Sequence, residues 1–143
     1  RVMKETDAAK GIFKELENKR GEYQKQVQKE EDALRTAEQD IIKQKDKMSE
    51  DEFKKARAGF EEKLISAQKL VQSRKKTLDD ALNTSIDKLR AAAAKVTAEV
   101  AKEKGYAAVF TQDAEMLAEP RLDLTDEVVR RLNNSNKKIP IQW

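Results

Sequence analysis

Cysteine and histidine are both absent from this 143-residue chain. Without Cys there is no disulfide framework, no thiolate nucleophile and no Cys-based zinc site. That lack fixes no compartment, since it suits an oxidising one and the cytosol alike. Without His, the commonest general base and the commonest transition-metal ligand are gone, and none of the five Ser has a His to activate it. Glycine is scarce. Gly11, Gly21, Gly59 and Gly105 stand too far apart for a phosphate-cradling loop, which removes the P-loop and the dinucleotide fingerprint. The longest uncharged run, Gly105 to Gln112, is far short of the ~20 residues that cross a bilayer. The acidic triplets Glu30-Glu31-Asp32 and Glu50-Asp51-Glu52 lack the alternating spacing and Gly turn of a calcium loop, so solvation and helix capping account for them. The expectation is a chain that is not an enzyme and has no catalytic residue, metal site or cofactor. It starts at Arg1 with no initiator Met and no signal-like segment, and reads as a processed or trimmed product.

Charge is what the chain has in plenty: 57 of its residues are charged, 30 basic and 27 acidic. The apolar share is 38%, much of it Ala, and there are only seven aromatics. These residues cannot easily fill a compact single core, which at this size buries about 70 per cent of the unfolded chain's surface. Disorder fits no better, because the net charge is only +3 and Pro totals two. A charge-dense, Ala-rich, Pro-poor chain has the composition of long helices and coiled coils.

Apolar residues recur every three or four positions from Asp7 to Met48: Ile12, Phe13, Leu16, Tyr23, Val27, Leu34, Ala37, Ile41 and Met48. From Leu16 the steps alternate four and three, with Arg20, Glu30 and Gln44 as polar entries in the seam, a coiled-coil period. Ser49 with Glu52 three residues on forms a capping box, and Met48 and Phe53 flank it at hydrophobic-staple positions. One helix therefore ends near Met48 and a second begins at Glu50. So short a connection forces an antiparallel pair. The second stripe is Phe53, Phe60, Leu64, Ala67, Val71, Leu78, Leu82, Ile86, Leu89, Ala93, Val96 and Val100, and Gly105 ends the helix.

Beyond Gly105 the pattern changes. Tyr106 to Thr111 and Glu115 to Glu119 are short apolar runs about a brief connection, which predicts a β-hairpin. Thr125 is expected to cap a short helix with Leu124, Val128 and Leu132 on its apolar face, Asp126 and Glu127 in its first turn, and Arg130 and Arg131 in its last. The tail from Asn133 to Trp143 has no period and is expected to be loose. Two strands alone are marginal and expose their edges, so they need another strand or another copy of the chain. The expected fold class is α+β, mostly α: a long antiparallel helical hairpin on a small β body, assembled by oligomerisation.

Gly105-Tyr106-Ala107-Ala108-Val109-Phe110 and the run from Ala118 to Asn133, above all Asp123-Leu124-Thr125-Asp126-Glu127-Val128, resemble the periplasmic Skp/OmpH chaperones of Gram-negative bacteria. The hairpin matches them in length and pattern only. The resemblance implies a homotrimer whose strands join a central β body and whose three hairpins hang as tentacles around a cavity. There the family holds unfolded outer-membrane β-barrel proteins without ATP. It implies a body of residues 1–15 and 105–143 and a tentacle of 16–104 with its turn near 48–50. It also implies an opening strand ahead of Arg1-Val2 that this sequence does not show.

Within that frame the trimer-body candidates are Ala107, Val109, Phe110, Met116, Leu117, Leu122, Leu124 and Val128. Candidate client-binding residues are Met48, Phe53 and Phe60 near the hairpin tip, with Lys69, Arg74 and Lys75 in the most basic stretch. Each has a plainer reading. The apolar three pack a seam and a staple, and the cations solvate a coiled-coil face. The sharper reading makes the apolar residues a grip and the cations a weak long-range attractant for acidic clients or anionic lipid headgroups. Nucleic acid is not an expected partner, because the charges are interleaved and no aromatic-basic surface accompanies them. Two other functions share the helices: a structural coiled-coil tether, and a prefoldin-like cytosolic chaperone. The β-prone base with its closing helix argues against the tether, and the Asp123 to Val128 motif against the prefoldin-like chaperone.

Overall fold

Among the described residues four helices carry the chain: α1 (Val2–Glu5), α2 (Asp7–Gln44), α3 (Glu50–Lys104) and α4 (Thr125–Ser135). Short 3₁₀ turns occupy Lys45–Lys47 and Pro120–Leu122. The computed structural model describes residues 1–111 and 119–143. It divides into two compact units, one of residues 1–16 with 80–143 and one of residues 17–79.

The second unit is an antiparallel helical hairpin. The Arg74 guanidinium lies 4.6 Å from the centre of the Tyr23 ring. Val27 lies with Val71, and Leu34 with Leu64, along the same seam. This register is centred on Ser49, where the capping box forms as the sequence predicts. The Glu52 amide donates to Ser49 Oγ at 3.3 Å, and the Ser49 amide donates to Glu52 Oε2 at 2.8 Å. The Ser49 amide and hydroxyl hold the Glu52 carboxyl below its ordinary range. Ser49→Ala removes the hydroxyl's part of the box and is expected to cost about 1 kcal/mol. A lower thermal midpoint, largely restored by Ser49→Asp, is the result to look for.

Tyr23 is buried, and Leu16, Val27, Leu34, Ala37, Ile41 and Met48 are half-buried, so the expected stripe of α2 does face inward. Arg20, Glu30 and Gln44, expected in the seam, are exposed instead, because polar groups at an open edge lose nothing by staying in water. Phe13 also points outward.

In the first unit, α2 begins where buried Thr6 accepts the Ala9 amide on its hydroxyl at 3.3 Å. One core cluster joins Val96 and Val100 of α3 to Leu124, Val128 and Leu132 of α4. A second joins Ala8, Ala9 and Ile12 of α2 to Leu89 of α3. The buried face of α3 here runs through Ala81, Ser85 and Leu89, whereas the expected Leu82 and Ile86 are only half-buried. A straight helix drifts about 20° per heptad against a 3.5-residue repeat, and the turn of the stripe puts small residues inward. Gly105 ends α3 with φ +72°, and the Tyr106 amide donates to the Ala101 carbonyl at 2.8 Å, closing the helix as predicted.

Four expectations for the C-terminal third need correction. Tyr106 to Thr111 is not a strand, and no strand occurs among the described residues, so the β body of the expected α+β class is not seen there. A strand needs a neighbour's amides and carbonyls, and no described segment supplies them. Most of the second expected strand, with Met116 and Leu117, lies outside the described residues. Thr125 is not the cap of α4: Leu124 occupies the N-cap, and Asp123 Oδ1 accepts the Thr125 amide at 2.8 Å. The helix also runs on to Ser135, so Arg130 and Arg131 sit in its middle. Finally, the tail is not loose, because Ile139 and Ile141 pack on the Ala8–Ala9–Ile12–Leu89 cluster.

Candidate functional site

Two helices with long charged side chains and small apolar ones leave gaps along their seam. In the hairpin unit a hollow of about 610 Å³ opens among Tyr23, Val27, Val71 and Leu78, with Arg20, Lys75, Glu31 and Asp79 at its rim. A smaller hollow continues along Leu34, Leu64 and Ala67 and shares Val27 and Val71 with the first. Leu64, Ile65 and Val71 are 40%, 50% and 46% exposed. Apolar area of this kind, ringed by both signs of charge, offers many weak contacts to a partner and no single deep pocket.

The sequence-predicted residues fall into separate surroundings. Met48, Phe53 and Phe60 are half-buried, and Lys45 Nζ lies 5.7 Å from the centre of the Phe53 ring. Lys69 is exposed, Arg74 is held over Tyr23, and Lys75 rims the larger hollow. Arg74 Nε is buried without a hydrogen-bond partner, so its stacking on the ring takes the place of a polar contact. Sequence reasoning named Tyr23 only as a seam residue and did not pair it with Arg74. The signal was present, since folding the chain about Ser49 sets residue 23 beside residue 74.

Ala107, Val109, Phe110 and Leu122 are exposed in the first unit, and Phe110 is 67% exposed. Leu124 and Val128 are core residues of that unit. Arg131 Nη1 donates to Glu103 Oε1 at 2.7 Å and Arg131 Nε to Glu127 Oε1 at 2.6 Å, tying α4 to the end of α3. Arg1 bridges Glu5 and Asp126 at 2.9 and 2.8 Å. Arg131 holds the Glu103 carboxyl below its ordinary range, Arg130 and then Arg131 do so for Glu127, and Arg1 for Glu5. The folded state thus favours the ionised carboxylates. Their stabilisation is complete above the ordinary glutamate value of 4.5 and is lost as pH falls through the depressed folded values. Denaturation midpoints are expected to hold level from neutrality down to that value and then drop. Arg131→Met should make the acid limb shallower, and an unchanged limb would contradict this assignment.

Among the described residues no group of three or more acidic side chains is placed to hold a metal ion, and no helix is long and apolar enough to cross a membrane.

The sequence profile of the family described as outer membrane protein (OmpH-like) matches residues 1–132. A crystal structure assigned as an OmpH-like outer membrane chaperone from Caulobacter crescentus CB15 is similar in fold, with a TM-score of 0.91 at 19% identity. The match covers 98% of this chain and 83% of that one. No curated protein sequence matches.

Proposed function

This chain belongs to the OmpH-like outer membrane protein family, and on that premise we propose that it is an ATP-independent holdase chaperone of the periplasm. Its clients are unfolded outer-membrane β-barrel proteins. The observation that carries the reading is the half-filled apolar seam of the hairpin unit, with Leu64, Ile65 and Val71 left partly in water among charges. An unfolded barrel protein exposes alternating apolar residues and unpaired strand edges. Many shallow apolar contacts shield such a chain, and each is weak enough to release it without nucleotide energy. The Caulobacter protein of similar fold is itself assigned as an outer membrane chaperone.

The assembled form is a homotrimer whose hairpins surround the client. Exposed Phe13, Val109, Phe110 and Leu122 supply apolar area for contacts between copies. Residues 1–15 and 105–143 serve as the assembly body and 16–104 as the tentacle. Met48, Phe53 and Phe60 add apolar grip near the turn. Lys69 and Lys75, both exposed, attract acidic clients and anionic lipid headgroups over a distance that salt screens.

The test is aggregation of a urea-unfolded β-barrel membrane protein on dilution, followed by light scattering with no ATP present. Suppression at one trimer per client is expected, weakening as salt is added, and no suppression would refute the reading. Oligomer mass in solution checks the trimer independently.

A further inference from the structure

The α2 start and α3 form a shallow apolar groove in the first unit. Ala8 and Ala9 are 2% and 1% exposed with the tail in place, Ile12 and Leu89 are buried with them, and Leu16 packs against the four. Alanine leaves room on a helix surface that a larger side chain would fill. Here the room is filled by the chain's own non-helical tail, through Ile139 and Ile141. Both isoleucines pack on this one cluster, and residues i and i+2 of an extended peptide likewise point the same way. Pro140 between them has no amide to leave unpaired, and its carbonyl accepts Lys88 Nζ at 3.4 Å. The family match ends at residue 132, before this segment.

We infer that this groove is a docking site for extended peptide with aliphatic side chains at i and i+2, and that Ile139-Pro140-Ile141 is its built-in, displaceable occupant. The recognition chemistry is apolar fit plus one lysine-to-carbonyl contact, with no demand on the intervening side chain. A β-barrel strand has the same two-residue period. That extension to clients rests on the chaperone reading above, whereas the groove and its tail do not.

A tethered segment competes at an effective concentration near the mM range. A labelled peptide spanning Lys137–Gln142 is therefore expected to bind the intact chain at least about tenfold more weakly than a chain ended after Asn136. The same peptide with Ile139→Asp and Ile141→Asp should bind neither. The only Trp of the sequence, Trp143, sits two residues past Ile141 and reports the tail directly. Excess unlabelled, Trp-free peptide should lower its anisotropy in the intact chain, and this arm holds even if the shortened chain fails to fold. Equal affinities for the intact and shortened chains, or Trp143 anisotropy unmoved at mM peptide, would overturn the inference. A Trp-free peptide of alternating Val and Thr tests the client extension: release of the tail supports it, and no release overturns that extension alone. Because none of these arms measures aggregation, a failed holdase assay and an empty groove are separate results.

Discussion

Leu132→Ala is expected to destabilise the first unit by about 2–5 kcal/mol. Leu132 has no exposed surface and packs with Val96, Val100, Leu124 and Val128. Truncation removes the transfer energy of the lost methyl groups and leaves a cavity beneath α4. That helix is only 11 residues long, too short to stand without its apolar face. The same substitution at Ile42, which is 67% exposed, should stay within about 0.5 kcal/mol. Urea denaturation at one fixed protein concentration compares the two, since any self-association adds to apparent stability. Equal losses at both sites would mean that the α3–α4 cluster is not what holds this unit together.

The second large effect is on client retention. Replacing Leu64 and Val71 together by Asp is expected to weaken binding of an unfolded barrel protein by tenfold or more. Burying a whole Leu or Val side chain is worth about 1.5–3 kcal/mol. These two keep a little under half of their surface exposed, so a client can gain about 1 kcal/mol from each. Two such losses approach 2 kcal/mol, and each introduced carboxylate also resists desolvation against an apolar client. Each 1.4 kcal/mol is a factor of ten in affinity. Fluorescence anisotropy of a labelled client reads the change, with helicity by circular dichroism as the check on folding. An unchanged affinity would remove this seam from the client surface.

Local chemistry made much of the fold readable. Ser49 and Glu52 mark the turn because a capping box satisfies its own amides within four residues. Gly105 marks the end of α3 because a positive φ there suits a residue without a Cβ. The face of α4 through Leu124, Val128 and Leu132 follows from helical spacing alone. What could not be read depends on partners distant in the chain. Ala81 and Ser85 look like weak core residues, yet each is only 1% exposed. Ile139 and Ile141 show no period, and only the groove at Ala8 and Ala9 makes their spacing meaningful. Tyr106 to Thr111 has the composition of a strand but no described neighbour to pair with. At the candidate site, the apolar sequence pattern gives no sign that Leu64 and Val71 stay half in water. That follows from the width of the seam, which the long side chains around it decide.

The register of the hairpin carries a consequence for the order of folding. A chain folded back about Ser49 gains its first cross-helix contacts from residues close in sequence, at low loop-closure cost, and each further turn extends a pair already aligned. The groove at Ala8, Ala9 and Ile12 is the opposite case, because it needs Leu89 and then Ile139 and Ile141. During synthesis, the opening of α2 must therefore wait for Ile139 and Ile141 before its apolar face is covered. Those contacts join segments far apart in sequence, so they carry a larger loop-closure cost than any pair beside Ser49.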